Sequence, residues 1–342
     1  MSPKVRALIG LLISGVLVYF LVTSKAVEWG KAWEYIRNSD KLLLLASSAA
    51  ATAIFALRAA RWRLILPAPP PGAPPLRFSS LFQACIIGQM ATNVIPGRAG
   101  ELARPYALNR LEPSVPFSTG FASVIVDRVF DGIVVLLLLV VAMLSPAFPR
   151  DAQINGRSIA AFALLGTAGV VVGLSGLFWL VLHPASLIGM VRRVVRRTVP
   201  RWEEPIARFL ERFTLGLTVL RDGKRSFIAF LWTVAHWLLC AASYWFAYQA
   251  IGLHAPLTST LFVQTMIVLA VAIPQAPGFV GVFETVAIAS LAVYGVPANL
   301  AAAWAIVYHV ISYIPVTGLG LIYFARLGLT FREIRNRGDA SA

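Results

Sequence analysis

Residues that could bind a phosphate group lie beside a break in an otherwise apolar chain. The stretch NVIPGRAGELAR runs from Asn93 to Arg104 and follows a hydrophobic run directly. A broken helix leaves free backbone N–H groups at the start of the next helix, and these groups favour anions. Guanidinium groups match phosphate oxygens in a bidentate manner, so Arg98 and Arg104 could form a phosphate clamp. Close approach of the backbone and unusual dihedral angles would be allowed by Gly97 and Gly100.

A second stretch, AIPQAPGFVGVFE, repeats part of this pattern between Ala272 and Glu284. Both stretches contain Pro-Gly, a second glycine three residues after the first, and then a glutamate. The structural breaks predicted from them are Pro96, Gly97, Gly100, Pro277, Gly278 and Gly281. This recurrence is the main indication of function in the sequence.

Further charged residues lie inside a predicted span, in SVIVDRVFDG. Asp127 and Asp131 are four residues apart and share a helical face, and Arg128 can pair with Asp131. Glu101 and Arg104 have the same three-residue spacing. Charges inside a span are costly and mark either internal ion pairs that lock helices together or a hydrophilic pathway. We favour a hydrophilic pathway because these charges lie beside the breaks or on the adjoining span.

Uncharged polar residues near the breaks could line the same pathway. Asn93, Gln89 and Gln275 either do so or satisfy freed backbone groups. His309 follows Pro277 at about the distance at which Asp127 follows Pro96. It could be a hydrogen-bonding residue of helix packing or part of a proton relay. The substrate-binding residues predicted from the sequence are Asn93, Arg98, Glu101, Arg104, Asp127, Arg128, Asp131, Gln275, Glu284 and His309.

The composition places these residues in a membrane. The chain has 342 residues, of which 58% are hydrophobic and 13% charged, with a mean hydropathy of +0.76. Soluble domains are about a quarter charged, so we expect a polytopic, all-α membrane protein with a single domain, residues 1–342. The apolar runs are continuous, which excludes a barrel. The two cysteines have no partner at metal-binding spacing, and we expect neither a metal nor a cofactor.

Six apolar runs are long enough to span a bilayer. They cover residues 5–23, 42–66, 117–145, 158–182, 226–251 and 298–325. Two further segments, 78–112 and 257–295, are interrupted at Pro-Gly and are predicted to be re-entrant hairpins. Irregular backbone at membrane depth is tolerated where it is buried in protein or lines a wet cavity.

The basic residues predict the topology. The net charge of +15 comes from arginines that flank spans, including Arg58, Arg61 and Arg63, so it indicates positive-inside loops rather than nucleic-acid binding. A basic segment at 186–225 is predicted to be cytoplasmic, as either an interfacial helix or a simple loop. With both termini cytoplasmic, spans one to three start inside and spans four to six start outside. Two inverted repeats follow, at about 5–145 and 158–326, an arrangement that points to a transport site near the midplane.

The motifs NVIPGRAGELARPYAL, VIVDRVFDG and IPQAPGFVGVFE, in this order, resemble the flippase-like family of the lysylphosphatidylglycerol synthase transmembrane region. The resemblance covers about residues 5–330. It implies that a phospholipid or glycolipid headgroup is moved between leaflets. The family often has Glu at the position of Asp127. Its motif positions in this chain are Asn93, Pro96, Gly100, Glu101, Arg104, Asp127, Arg128, Asp131, Pro277, Gly278, Gly281 and Glu284. The synthase domain of fused members does not follow here, so we expect no synthase activity.

The leading hypothesis is a lipid flippase or transporter in the cytoplasmic (inner) membrane, with membrane lipids and their anionic headgroups as partners. One alternative is a membrane enzyme acting on a lipid-linked substrate, for which Asp127, Asp131 and Glu101 could hold a metal. No recognisable catalytic constellation supports it, and we expect no enzyme. The other alternative is a scaffold that partners a separate lipid-modifying enzyme through the basic segment.

Overall fold

The structure, a computed structural model, describes residues 27–67, 74–95, 100–149, 222–271 and 277–329, with scattered shorter stretches between 15 and 189. Within these residues the chain forms nine α-helices and one two-stranded antiparallel ladder. The helices are α1 (Trp29–Arg37), α2 (Lys41–Ile65), α3 (Phe78–Val94), α4 (Gly100–Leu111), α5 (Phe117–Leu144), α6 (Gly223–Ala250), α7 (Leu257–Val271), α8 (Val282–Ala292) and α9 (Ala298–Arg326). The ladder pairs β1 (Gln153–Ile154) with β2 (Arg157–Ser158).

Four long helices coincide with predicted spans two, three, five and six. Three of them, α2, α6 and α9, are long and apolar enough to cross a membrane. The fourth, α5, has 28 residues and carries the charges at 127, 128 and 131 in its interior. A continuous apolar run is read reliably from sequence, so the ends of these helices lie within three residues of the predicted ones. Most of predicted spans one and four, and most of the basic segment, lies outside the described residues.

The two interrupted segments each contain two short helices. The first segment divides into α3, with 17 residues, and α4, with 12 residues. The second divides into α7, with 15 residues, and α8, with 11 residues. A 3-10 turn at Pro277–Phe279 precedes α8. We call α3 with α4 hairpin one, and α7 with the 3-10 turn and α8 hairpin two.

One end of the helix bundle is identified by contacts between the helices that terminate there. The backbone N–H of Asp40 donates to the carbonyl of Ala250 at 2.7 Å. The hydroxyl groups of Ser145 and Thr258 are 3.1 Å apart. The start of α2, the end of α5, the end of α6 and the start of hairpin two therefore share this end.

The opposite end contains the start of hairpin one. Arg225 donates to the carbonyl of Leu64 at 2.7 Å, which brings the start of α6 to the end of α2. Arg77 Nε donates to Glu112 Oε1 at 3.0 Å across the open base of hairpin one. Burial alone would raise the pKa of the Glu112 carboxyl, but hydrogen bonds from Ser80 and Arg77 outweigh it and hold that pKa below its usual value. Hairpins one and two therefore begin at opposite ends of the bundle.

The packing of the helices repeats between the two halves of the chain. Helices α2 and α6 pack against each other along their length and run antiparallel. Helix α3 packs against α9, the last long helix of the second half, while α7 packs against α5, the last long helix of the first half. Helix α4 likewise packs on α5 and α8 on α9. Each hairpin is therefore held between the long helix that follows it and the equivalent helix of the other half.

Glycines permit the closest of these approaches. A Cβ on Gly100 would overlap the carbonyl oxygen of Gly88 and the hydroxyl of Thr92, so α3 and α4 meet through backbone atoms. A Cβ on Gly320 would overlap the side chain of Met90, which brings α9 equally close to α3. Small residues at helix contacts allow this approach inside a membrane, where dispersion contacts drive association.

One short helix was not predicted from the sequence. Helix α1 lies in the loop between predicted spans one and two, and it packs against α9. Its Trp33 and Tyr35 side chains are exposed. Its nine residues contain no long apolar run, and the spans were predicted from such runs.

Candidate functional site

A buried ion-pair cluster joins three helices at its centre. Arg61 of α2 contacts both aspartates of α5, with Nη2 at 2.6 Å from Asp127 Oδ1 and Nη1 at 2.7 Å from Asp131 Oδ1. The side chains of Arg61 and Asp127 have no exposed surface. The four-residue spacing of the two aspartates places both carboxylates on one helical face. A single guanidinium can therefore neutralise them both.

Helix α6 completes the surroundings of Arg61. Arg61 Nη1 also donates to the Thr233 hydroxyl at 3.0 Å, and the Trp237 indole N–H donates to Asp131 Oδ1 at 3.2 Å. Buried charges are tolerated in proteins when they are paired and hydrogen-bonded in this way. This inner part of the cluster locks α2, α5 and α6 together.

Arg104 of α4 is held by the same cluster. Its Nη1 lies 2.6 Å from Asp127 Oδ2, and its guanidinium carbon lies 3.9 Å above the Trp62 ring. The Trp62 indole N–H in turn donates to the Ser123 hydroxyl at 2.7 Å. The sequence spacing had suggested Glu101 as a partner of Arg104. In the structure its close partner is Asp127, because α4 packs against α5 and presents Arg104 to that helix.

The remaining charged side chains lie at the edge of the cluster. Arg128 Nη1 is 3.3 Å from Asp131 Oδ2, which agrees with the pair predicted from their spacing, and Arg128 Nε is 3.7 Å from Glu101 Oε1. The side chains of Arg128 and Glu101 are 42% and 37% exposed, so this pair faces open space. Arg58 approaches the aspartates at 3.6 Å and 3.7 Å.

A cavity of about 350 Å³ opens beside this edge. One wall is charged and polar, and it comes from α2, hairpin one and α5. The apolar part of the lining comes from α5 and α6 as well as from hairpin two, which supplies Val268, Leu269, Val271 and Phe279. The volume is at the lower end of the range of about 300–1,000 Å³ that is common for small-ligand sites. Both hairpins therefore contribute to one amphipathic cavity.

The cavity gathers part of the residue set predicted from the sequence. The members that line it are Glu101, Arg104, Arg128 and Asp131, with Gly100 and Gln89. Asp127 lies behind them and contacts three arginines of the cluster. The charges were predicted to lie either in structural ion pairs or along a hydrophilic pathway. In the structure the inner charges are sealed in ion pairs, and the outer ones face the cavity.

Glu284 and His309 form a separate pair that is not part of the cavity lining. His309 Nδ1 lies 2.5 Å from Glu284 Oε1, and Glu284 Oε2 accepts the backbone N–H of Gly281 at 2.7 Å. Glu284 thus caps the start of α8 and ties that helix to α9. The pair Arg104–Asp127 ties α4 to α5 in the same manner, so each hairpin is fastened to the helix that follows it.

The second break has the unusual backbone that its glycines permit. Gly278 and Gly281 have φ of 69° and 85°, a region that side chains with a Cβ rarely adopt. Gly278 lies against the Tyr313 ring, and the Tyr313 hydroxyl donates to the carbonyl of Asn93 at 3.1 Å. The Asn93 side chain donates to the Thr317 hydroxyl at 2.8 Å. Asn93 therefore connects the end of α3 to α9 and does not line the cavity.

Four predicted positions lie outside the described residues. They are Pro96, Gly97, Arg98 and Gln275. Pro277 begins the 3-10 turn. The part of the phosphate clamp that the structure describes is therefore Arg104, whose guanidinium is already engaged by Asp127 and Trp62.

Sequence reasoning missed Arg58 and Arg61 as members of the site. Both were assigned to the basic residues that flank the end of span two, whereas the structure buries Arg61 and turns Arg58 toward the cavity. Their three-residue spacing inside the predicted span 42–66 could have identified them, because it puts both side chains on one face. Arg63, at the end of the same helix, is exposed as expected for a flanking residue.

Within the described ranges, no group of three or more His, Cys, Asp or Glu side chains is arranged to hold a metal ion. At the cluster, guanidinium groups lie between and around the carboxylates that could have been metal ligands.

Comparison with known proteins places this architecture in a family. The chain is 27% identical over 277 residues to a UPF0104 membrane protein of Methanothermobacter thermautotrophicus, an alignment that covers 77% of each chain. A second UPF0104 membrane protein of that organism is 26% identical over 293 residues, with 83% of each chain covered. Glycosyltransferase AglD of Haloferax volcanii is 26% identical over 245 residues, which are 64% of this chain and 39% of that protein. No solved structure matches the chain.

The sequence profile of the lysylphosphatidylglycerol synthase transmembrane region matches residues 7–320, which is most of the chain. The match includes both hairpins, the charged cluster and the long helices that hold them. This chain is a multi-pass membrane protein and belongs to the family of the lysylphosphatidylglycerol synthase transmembrane region.

Proposed function

We propose that this protein moves the polar headgroup of a membrane lipid between leaflets, through the cavity between hairpins one and two. The observation that carries the proposal is the cavity itself, which combines a charged wall with an apolar wall inside an apolar helix bundle. Intramembrane charges mark substrate pathways when they face a cavity. A lipid presents the matching chemistry, a charged headgroup joined to an apolar body.

The lengths of the short helices support re-entrant insertion of both hairpins. At 1.5 Å per residue, α3 is about 25 Å long and α8 about 17 Å, while the hydrocarbon core is about 30 Å thick. Each hairpin would enter the bilayer, turn at its break and return to the side it came from. The breaks then lie at membrane depth, where irregular backbone is acceptable because it is buried in protein or lines the cavity.

The packing of the two halves supports an inverted repeat. Equivalent helices α2 and α6 run antiparallel, and the two hairpins begin at opposite ends of the bundle. In this arrangement hairpin one enters from the cytoplasm and hairpin two from the outer side, within a topology of six spans with both termini cytoplasmic. The basic residues Arg63, Arg77 and Arg326 then lie on the cytoplasmic side, as the positive-inside rule requires. Inverted repeats with a site at their interface suit alternating access.

The experiment that tests this function is translocation of fluorescently labelled phospholipids in vesicles reconstituted with the purified protein. We expect the unchanged protein to expose inner-leaflet label to an added membrane-impermeant quencher. Val268→Trp places a large ring in the cavity and should slow this exposure strongly. Val141→Trp, on the exposed face of α5, serves as the matched control and should behave like the unchanged protein.

Two results would reject the proposal. One is the absence of translocation by the folded, unchanged protein for anionic, zwitterionic and glycosylated lipid probes alike. The other is undiminished translocation by folded Val268→Trp, since a route through this cavity would then be blocked without effect.

The similarity to glycosyltransferase AglD supports a second candidate function. In that reading the membrane region serves as a scaffold or lipid-presenting partner for a separate enzyme that modifies lipids. The alignment covers 39% of AglD, so the glycosyltransferase activity in that name is not assigned to this chain. Co-purification of such an enzyme with the protein, and translocation that requires it, would favour this second candidate.

A further inference from the structure

We propose that Arg58 is the anion-binding residue of the cavity and that it binds the phosphodiester group of a lipid headgroup with a single net negative charge. The proposal rests on the proposed function and specifies its substrate class. It assigns the phosphate to a residue that the sequence pattern placed outside the site, instead of to Arg104.

The cluster carries more positive than negative charge. In the part of the chain that the structure describes, the cluster contains four guanidinium groups and three carboxylates, which leaves one positive charge in excess. The guanidinium groups are those of Arg58, Arg61, Arg104 and Arg128, and the carboxylates are those of Glu101, Asp127 and Asp131. A buried excess charge is costly unless a counter-charge compensates it. One monoanionic group in the cavity would neutralise the cluster.

Arg58 is the arginine that carries this excess. Arg61 and Arg104 approach Asp127 to 2.6 Å. Arg58 comes no closer to Asp127 and Asp131 than 3.6 Å and 3.7 Å, respectively. Its Nε and Nη2 face those two carboxylates without making a hydrogen bond, whereas Arg61, Arg104 and Arg128 each donate a hydrogen bond to an aspartate. The Arg58 side chain is 12% exposed and lines the cavity. Of the four arginines in the cluster, Arg58 thus has the least compensated positive charge, and it lies at the cavity wall.

The long contacts of Arg58 leave its charge only partly compensated. Its Nε and Nη2 face Asp127 Oδ2 and Asp131 Oδ2 at 3.6 Å and 3.7 Å, which is beyond hydrogen-bond length. An oxyanion in the cavity would supply a charge-assisted contact to this guanidinium. Arg61 and Arg104 would keep their contacts of 2.6 Å to Asp127, so the inner ion pairs would remain intact.

The apolar lining of the cavity distinguishes a lipid phosphate from free phosphate. The wall contributed by hairpin two consists of Val268, Leu269, Val271 and Phe279. These apolar side chains donate no hydrogen bond to a free inorganic anion, but they can pack against the glycerol and first acyl carbons of a lipid. A zwitterionic headgroup would bring its cation beside Arg58 and Arg128, while Glu101 is already close to Arg128. The cavity therefore favours an anionic headgroup.

Binding to the purified protein in detergent tests this assignment without requiring transport. The probes are short-chain phosphatidylglycerol, short-chain phosphatidylcholine and inorganic phosphate, and the readout is the concentration dependence of the thermal unfolding midpoint. We expect phosphatidylglycerol to stabilise the unchanged protein and Arg58→Gln to weaken that binding by about tenfold or more, because a charge-assisted contact is lost. Arg58→Lys should recover part of the affinity, since it keeps the positive charge. Arg63→Gln, an exposed change on the same helix, should bind like the unchanged protein.

Each contrary result has a definite meaning. Equal binding of phosphatidylglycerol by folded Arg58→Gln and by the unchanged protein would overturn the assignment of Arg58. Equal stabilisation by phosphatidylcholine would overturn the preference for an anionic headgroup. Saturating stabilisation by inorganic phosphate alone would make the cavity a free-phosphate site and overturn the lipid assignment.

The outcomes also separate this inference from the proposed function. Arg58-dependent binding of phosphatidylglycerol without any translocation in vesicles would leave the anion site standing and reject the transport function. Translocation that is blocked by Val268→Trp but is equal for all headgroups and unchanged in Arg58→Gln would reject the anion site and leave the transport function standing.

Discussion

Arg61 and Asp131 are 70 residues apart in the sequence, yet Arg61 Nη1 donates to Asp131 Oδ1 at 2.7 Å in the buried centre of the bundle. The same guanidinium contacts Asp127, so one arginine of α2 neutralises two aspartates of α5. This contact fixes the wall against which the cavity forms, and it accounts for the presence of several charges inside an apolar protein.

Removal of the Arg61 guanidinium should destabilise the protein severely. Arg61→Met leaves two buried carboxylates with reduced compensation, and we expect a loss on the order of 3–5 kcal/mol in unfolding free energy. The measurement is thermal or denaturant unfolding in detergent. Arg63→Met, two residues along the helix and exposed, should change stability little. Comparable stability of the two variants would show that the cluster does not hold the helices together.

A methyl group on α9 should test the close contact between α3 and α9. Gly320→Ala would force its Cβ onto Met90, and overpacking of this kind costs about 1–3 kcal/mol. The matched control is Gly318→Ala, where a Cβ meets nothing within 4 Å. An exposed helical glycine replaced by alanine gains about 0.5–1 kcal/mol. The two variants should therefore shift the unfolding midpoint in opposite directions, and shifts of the same sign would contradict the packing.

The cap on α8 predicts different losses of stability for two substitutions of Glu284. Glu284→Ala removes both the acceptor for the Gly281 N–H and the partner of His309, and loss of a cap costs about 1 kcal/mol. Glu284→Gln keeps an oxygen that can accept the N–H of Gly281. We expect a larger loss of stability for Ala than for Gln, together with faster hydrogen exchange of the Gly281 amide. Identical losses would mean that the capping contact contributes nothing.

Water should reach the cavity. In a background with Cys85→Ala and Cys240→Ala, Val268→Cys should react with a polar, membrane-impermeant thiol reagent added to the purified protein in vesicles. Val141→Cys, on the exposed face of α5, should face lipid and react slowly. Protection of Val268→Cys in folded protein, on both sides of the membrane, would argue that the cavity is sealed.

The sequence predicts the features that depend on residues close together in the chain, but not those that depend on packing between helices. The ends of α2, α5, α6 and α9 follow from continuous apolar runs, and the two breaks follow from Pro-Gly. The pair Arg128–Asp131 was predicted because both residues lie on one helix. Arg104 was expected near Glu101 on the same local argument, but packing between helices brings it to Asp127 instead.

The position of Arg61 in the sequence does not reveal that its side chain is buried. An arginine four residues before the end of a span looks like a flanking, positive-inside residue, and Arg63 is one. The antiparallel packing of α2 against α6 and the contact with α5 turn Arg61 inward, toward partners that are distant in the chain. No local pattern encodes those partners.

The opposite insertion of hairpins one and two underlies the transport proposal, and labelling from one side of the membrane tests it most directly. Ser114 is exposed at the open base of hairpin one, and His254 is exposed at the open base of hairpin two. In intact spheroplasts carrying the cysteine-free background, a membrane-impermeant maleimide should label His254→Cys, while Ser114→Cys should be labelled after permeabilisation alone. Labelling of both positions from the same side would contradict the account.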